Sequence, residues 1–124
     1  MNDKSDSSKA VTSLDIFKAD TDKLSESDIL IANLDGGLEI DSGVACEIGY
    51  FNALCQNDSS KKIIGLVSDV RWNASNGAVG EQHGVYKNLY VIGAIKDKGI
   101  LVENKSEANF DFSNEILKVL KNIL

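Results

Sequence analysis

Residues 29–34 read Ile-Leu-Ile-Ala-Asn-Leu, a short apolar run of the kind found in a strand buried on both faces of a parallel sheet. The run stops at Asp35-Gly36-Gly37, which is a turn signal. Asp41-Ser42-Gly43 then predicts a helix start. Lys62–Ser68 (KIIGLVS) predicts a second buried strand. Strand, helix and strand in this order form a βαβ unit, so we expect a parallel sheet with a right-handed crossover.

A helix is predicted ahead of this unit, over Ser13–Ser27. Its apolar residues Leu14, Phe17 and Leu24 fall at spacings that suit one face of a helix. Ser13 is a candidate N-cap because its hydroxyl can accept from the first free amides. Both features indicate a helix over this segment.

Three further elements are predicted beyond the unit. Asn88–Ile95 is apolar but does not distinguish a short helix from a strand, and Gly99–Val102 predicts a short strand. Asn114–Leu124 carries a single apolar stripe and predicts a closing amphipathic helix. Between them and the second strand, Asp69–Lys87 is long and rich in Gly, Asn and Ser, which makes it a candidate functional loop.

The composition limits the class of protein. A chain of 124 residues fits one domain, which we place at residues 13–124 behind a disordered tail over residues 1–12. A net charge of −6 with scattered basic residues argues against a nucleic-acid partner. There is no run of roughly 20 apolar residues to span a membrane, and the first dozen residues are too polar for a secretory signal. We expect a cytoplasmic protein.

The two cysteines, Cys46 and Cys55, fall nine residues apart on the predicted helix. That spacing on one helix keeps them from bridging and gives no metal-ligand pattern. We expect both to be reduced, small core residues, and we expect no metal site.

Carboxylates gather where the first strand ends. Ligands of open parallel sheets bind outside the carboxyl ends of the strands, and Asp35 and Asp41 lie in the loop that leaves this end. Glu47 follows in the helix, framed by apolar or small neighbours. Such a carboxylate either lines a ligand cavity or is a solvated residue near the helix start. Asp35 and Asp41 could equally be ordinary turn and N-cap residues.

A family resemblance bears on that choice. Asp20–Gly36 and Asp41–Tyr50 (DSGVACEIGY) resemble the central signature of the nucleoside 2-deoxyribosyltransferase family. Ile63–Arg71 and Asn88–Tyr90 are similar to later parts of the same family. The resemblance covers roughly residues 17–93, and its most specific element is DSG-x-A-x-E-I-G-Y.

The resemblance implies a flavodoxin-like α/β fold, a parallel sheet with flanking helices, and exchange of the base of a 2′-deoxyribonucleoside for another base. Glu47 matches the nucleophile, and Asp41 the carboxylate that holds the deoxyribose hydroxyls. Asp20 matches the acid that protonates or holds the departing base, and Asn88 the residue that a neighbouring subunit inserts into the site. The expected catalytic residues are Glu47 and Asp20, and the expected substrate-binding residues are Asp35, Asp41, Gly43 and Asn88.

The same resemblance implies that no cofactor is needed. An N-glycosidic bond develops oxocarbenium character as it breaks, and a carboxylate can stabilise and then capture that carbon. The expected partners are 2′-deoxyribonucleosides, free purine or pyrimidine bases and, because of Asn88, further copies in a homo-oligomer. The alternatives are a glycosidase of deoxynucleosides or of their monophosphates, and an inactive nucleoside-binding or assembly module.

The chain departs from the family pattern at two places. Family members normally begin with a Tyr-Leu-Ala-Gly-Pro strand, then a helix and a second strand, and Met1–Ser13 contains nothing similar. The expected sheet therefore lacks the usual first strand–helix–strand. Tyr90 stands where a methionine is common.

Overall fold

The computed structural model describes residues 10–37, 39–68, 87–103 and 111–123. In these residues four helices and three strands alternate along the chain. They are α1 (Ser13–Glu26), β1 (Ile29–Asn33), α2 (Ser42–Cys55), β2 (Lys62–Val67), α3 (Leu89–Lys98), β3 (Gly99–Glu103) and α4 (Phe112–Ile123).

The strands form one parallel sheet in the order β1-β2-β3. Ile29 of β1 pairs with Lys62, and Ile63 of β2 pairs with Gly99 at the start of β3. The predicted βαβ unit and the α/β, flavodoxin-like class are confirmed. Among the described residues no strand precedes β1.

Both faces of β2 are covered, because successive strand residues point to opposite sides of the sheet. Ile63 and Val67 pack on one side under α1, α2 and α3, with Ile48, Phe51 and Ile95. On the other side, one smaller cluster lies under α4. It comprises Ile64, Leu66 and Val102, with Ile29, Ile116, Val119, Leu120 and Ile123 packed against it.

The expectation that β1 is buried on both faces is wrong. Ala32 is buried, but Ile31 is 46% exposed and Asn33 is exposed. The physical reason is position: β1 is at the edge of the described sheet, and α4 packs over β2 and β3. One face of β1 therefore remains largely open.

The first helix starts one residue earlier than its predicted cap implied. Thr12, not Ser13, is the N-cap: its hydroxyl accepts from the Asp15 amide at 3.1 Å, and the Asp15 carboxylate accepts from the Thr12 amide at 3.1 Å. This reciprocal capping box satisfies two amides that the helix leaves free.

The ambiguous segment after the long loop is helical. Asn88 caps α3, and its Oδ1 accepts from the amides of Tyr90 at 2.8 Å and Val91 at 3.3 Å. α3 then leads directly into β3 at Gly99. A Cβ at Gly99 would lie 1.7 Å from the carbonyl oxygen of Ile63, so only glycine fits this close approach of β3 to β2. No helix in the described part of the chain is long and apolar enough to cross a bilayer.

Candidate active site

A cleft of about 370 Å³ lies between α1 and α2, within the usual size range of small-molecule sites. Four of the six predicted site residues line it: Asp20 from α1, and Asp41, Gly43 and Glu47 from α2 and its cap. The remaining lining residues are Ser13, Ile16, Phe17, Thr21, Leu24, Val44, Cys46 and Tyr50. The cleft therefore combines three carboxylates with largely apolar walls.

Asp41 is fixed by its role as the N-cap of α2. Its Oδ2 accepts from the amides of Gly43 at 3.0 Å and Val44 at 3.2 Å. A Cβ at Gly43 would lie 3.1 Å from that oxygen, so the glycine leaves room for the cap. Both bonds go to Oδ2, and Oδ1 accepts no hydrogen bond from a described residue. Asp41 can thus cap the helix with one oxygen and present the other to a ligand.

Glu47 lies in the second turn of α2 and is partly buried. The helix dipole acts mainly within the first turn, so it contributes little to holding a charge here. No hydrogen bond or ion pair joins Glu47 to another residue in the described part of the chain. A partly buried carboxylate without a protein partner, on a cleft wall, favours the ligand-cavity interpretation over a solvated residue at the helix start.

Asp20 is on the other wall, in the middle of α1, and it is also partly buried. It has no hydrogen-bond or ion-pair partner among the described residues either. The next residue, Thr21, donates its hydroxyl to the Phe17 carbonyl at 2.8 Å and so does not occupy the Asp20 carboxylate. α1 and α2 therefore each bring one uncommitted carboxylate to the same space.

An aromatic pair in this cleft was missed at the sequence level. Phe17 of α1 and Tyr50 of α2 meet edge to face, with ring centroids 6.4 Å apart and planes at 87°. Phe17 is 55% exposed and Leu14 is also exposed, so Leu24 is the one buried member of the apolar face predicted for this helix. The available signal was spacing, since Phe17 precedes Asp20 by one helical turn and Tyr50 follows Glu47 by one.

Asp35 does not line the cleft. Its carboxylate accepts from the Ser68 amide at 2.9 Å and from the Ser68 hydroxyl at 2.5 Å. Ser68 follows β2, so Asp35 connects the carboxyl ends of two adjacent strands. The substrate-binding role predicted for Asp35 is not supported by this placement, which gives the residue a structural partner.

Asn88 also lies outside the cleft, as the cap of α3. Its predicted role involves a neighbouring subunit and stays a prediction. The adjacent Lys87 was not singled out from the sequence, yet it is 2% exposed. Its Nζ donates to the carbonyls of Leu34 at 2.7 Å and Gly37 at 3.1 Å. Through these hydrogen bonds Lys87 connects the turn after β1 to the start of α3. The rest of the predicted functional loop, residues 69–86, lies outside the described residues.

The cysteines are both free, as expected, but only one of them is a core residue. Cys55 is buried, and burial raises the pKa of its thiol, opposed by the nearby Lys98 ammonium. Cys46 is exposed on the cleft wall, so its predicted core position is wrong. In the described part of the chain no group of three or more His, Cys, Asp or Glu residues is arranged to hold a metal ion.

The chain is similar to a known protein family and to a solved structure. The sequence model of the nucleoside 2-deoxyribosyltransferase family matches residues 1–90. A solved structure described as a conserved protein from Enterococcus faecalis V583 is 31% identical, with a TM-score of 0.69. The alignment covers 100% of this chain and 72% of that one. A search of curated proteins gave no match.

Proposed function

The chain belongs to the nucleoside 2-deoxyribosyltransferase family, and on that premise we propose that it transfers 2-deoxyribose from one nucleobase to another through a deoxyribosyl-Glu47 intermediate. The observation that carries the proposal is the cleft between α1 and α2, which brings Glu47, Asp20 and Asp41 together. These residues come from two helices, and the sequence resemblance had assigned each of them a role in one reaction.

In the first step a Glu47 carboxylate oxygen forms a bond to the anomeric carbon of the deoxyribose. The bond from that carbon to the base nitrogen breaks, and its electron pair goes to the base. Asp20, on the opposite wall, gives the base a proton or holds the site of protonation. Because the carbon becomes cationic as the bond breaks, the negative charge of Glu47 lowers the barrier before the covalent bond is complete.

Asp41 would hold the sugar during this step. Its cap fixes the carboxylate at the amino end of α2, and Oδ1 is available to accept from a deoxyribose hydroxyl. Since Asp41 and Glu47 are on the same helix, the contact to the hydroxyl would also set the distance between the anomeric carbon and the nucleophile.

In the second step a nitrogen of an incoming base attacks the anomeric carbon and releases the Glu47 carboxylate, while Asp20 takes the proton that the base loses. If water attacks instead, the product is free deoxyribose and the reaction is hydrolysis. No Lys or Arg is among the described residues that line the cleft. This absence of a phosphate partner favours nucleosides over nucleoside monophosphates as substrates.

We also propose a homo-oligomer, since the role carried over to Asn88 requires a neighbouring copy. Analytical ultracentrifugation should give a dimer or a larger assembly. A monomer at micromolar concentration that exchanges bases at full rate would contradict this part of the proposal.

The test is base exchange. The protein is incubated with 2′-deoxyinosine and free adenine, and 2′-deoxyadenosine and free deoxyribose are followed by chromatography. We expect exchange, and we expect Glu47→Gln to lower it by about a thousandfold or more while the fold is retained, because the amide cannot act as the nucleophile. Glu26→Gln is the matched control, since Glu26 is exposed on α1 and does not line the cleft. A folded protein that neither transfers nor hydrolyses would refute the proposal, as would full activity in Glu47→Gln.

A further inference from the structure

We propose that Phe17, held by its edge-to-face contact with Tyr50, is the surface on which the nucleobase stacks. This inference rests on the proposed function, because it assigns the base to one wall of the cleft that holds Glu47. It names a binding residue that the resemblance of the sequence to the family did not supply.

The first support is the symmetry of the two walls. On α1, Phe17 lies one helical turn before Asp20, and on α2, Tyr50 lies one turn after Glu47. Residues three apart on a helix share a face, so each carboxylate has an aromatic ring beside it. Asp20 is the group proposed to act on the base, which places the base on the α1 wall beside Phe17. Glu47 acts on the sugar, which places the sugar toward α2.

The second support is exposure. Phe17 is 55% and Tyr50 is 37% exposed, although the two rings touch. With planes at 87°, an edge meets a face, and the pair cannot cover all of its own ring surface. The neighbouring wall residues Ile16, Leu24 and Val44 are apolar. A planar, uncharged ring fits such a wall, because stacking needs apolar area and few hydrogen bonds.

The aromatic pair would also supply a contact that the carboxylates of the cleft cannot make. The three carboxylates are proposed to bind the sugar and to transfer a proton, but carboxylates alone bind a neutral base weakly. Stacking recognises any base through its ring face and favours larger rings. Phe17 should therefore govern affinity for the base, with purines affected more than pyrimidines, and should leave the bond-breaking step largely to Glu47 and Asp20.

The experiment compares Phe17→Ala, Phe17→Leu and Phe17→Trp with Leu14→Ala. Leu14 is a suitable control because it is 56% exposed, lies one turn away on α1 and does not line the cleft. Two readouts are taken: steady-state exchange with adenine or cytosine as the accepting base, and calorimetric binding of free adenine to the Glu47→Gln background. Circular dichroism checks the fold, and Phe17→Leu retains apolar bulk if Phe17→Ala is unstable.

We expect Phe17→Ala and Phe17→Leu to raise the adenine KM and Kd by between about fivefold and about 150-fold, with a smaller change in kcat. The KM for cytosine should rise less than the KM for adenine. Phe17→Trp should bind adenine at least as tightly as the unchanged protein, and Leu14→Ala should leave the KM and Kd for adenine unchanged. Unchanged adenine affinity in Phe17→Leu would overturn the stacking role while leaving exchange through Glu47 intact. If the unchanged protein shows no base exchange, the proposed function is refuted instead. Calorimetric binding of adenine would then still test whether Phe17 stacks on the base.

Discussion

The two ends of helix α2 differ in how they are held. The carboxy-terminal part, residues 51–56, is tied to the rest of the fold: Phe51 and Cys55 are buried, and the Asn52 side chain donates to the Ala94 carbonyl at 2.9 Å and to Asp97 at 3.2 Å. In the amino-terminal part, residues 41–50, Ile48 alone is buried; Glu47 is partly buried and Tyr50 is 37% exposed, and both of these line the cleft.

This difference shows how one short helix can serve both stability and chemistry. Together with Ile48, the fixed end anchors α2 against the sheet and α3, so the open end does not need its own polar side chains for packing. Glu47 is left without a protein partner in the described part of the chain. The proposed attack of Glu47 on the anomeric carbon needs a free carboxylate, and rigidity supplied elsewhere would keep that carboxylate positioned.

Exchanging the neighbours Phe51 and Tyr50 for alanine should separate the two ends most clearly. Phe51 is fully buried, so Phe51→Ala should lower the free energy of unfolding by about 3–5 kcal/mol through lost burial and a cavity. Tyr50→Ala should cost about 1 kcal/mol or less, because that ring is already partly in solvent. Urea unfolding followed by circular dichroism measures both. Equal losses would contradict the division of α2.

The alkylation rates of the two cysteines also compare the two ends of α2. Cys46, at the open end, should be alkylated by iodoacetamide about a hundredfold faster than Cys55 at pH 8. Cys55 is shielded, and its raised pKa means that less of the reactive thiolate is present at that pH. A saturating nucleoside should slow only Cys46, which lines the cleft. Mass spectrometry of the labelled peptides gives both rates, and similar rates would show that Cys55 is not protected.

Removing the hydrogen bonds that hold the carboxy-terminal part of α2 should lower the free energy of unfolding by less than Phe51→Ala does. Asn52→Ala deletes the bonds from α2 to Ala94 and Asp97, and we expect a loss of about 1–2 kcal/mol in unfolding free energy. Gln56→Ala is the control, because among the described residues the Gln56 side chain bonds to Asn52 alone, at 3.1 Å, and so does not reach α3. A larger loss in Gln56→Ala would mean that the connection between α2 and α3 does not anchor the helix.

A smaller stability change than at Asn52 is expected at Asp41, where capping and substrate binding can be separated. Asp41→Ala should cost about 1 kcal/mol through the lost cap, whereas serine caps about as well as aspartate. Asp41→Ser should therefore keep its stability but raise the nucleoside KM, since it lacks the second carboxylate oxygen. Thermal unfolding and exchange kinetics provide the two readouts. An unchanged KM in Asp41→Ser would reduce Asp41 to a helix cap.

The sequence predicted the elements that local chemistry defines. Apolar runs and the Asp41 cap were enough for β1, α2 and β2, and the signature from Asp41 to Tyr50 was enough to single out Glu47. Burial was predicted less well, because it depends on what packs from elsewhere in the chain. Ile31 is an example: its apolar run predicted full burial, but its face of the edge strand is open.

Side-chain partners across the fold were also beyond local patterns. Asp35 precedes two glycines and has the composition of a turn, and nothing near it in sequence indicates Ser68 as its partner. Lys87 looks like a surface lysine until the carbonyls of Leu34 and Gly37 are brought to it. Pairing of Phe17 with Tyr50 likewise depends on how α1 packs against α2, which periodicity within one helix cannot show.

The proposed role of Glu47 as the carrier of the sugar can be tested by trapping the covalent intermediate. The protein is mixed with 2′-deoxyinosine without an accepting base, quenched in acid within the first turnover, and digested for peptide mass spectrometry. We predict one deoxyribosyl group on the peptide that contains Glu47, and none in Glu47→Gln. Exchange activity with the deoxyribosyl group on another carboxylate, or with no covalent product at any quench time, would contradict the proposed role of Glu47.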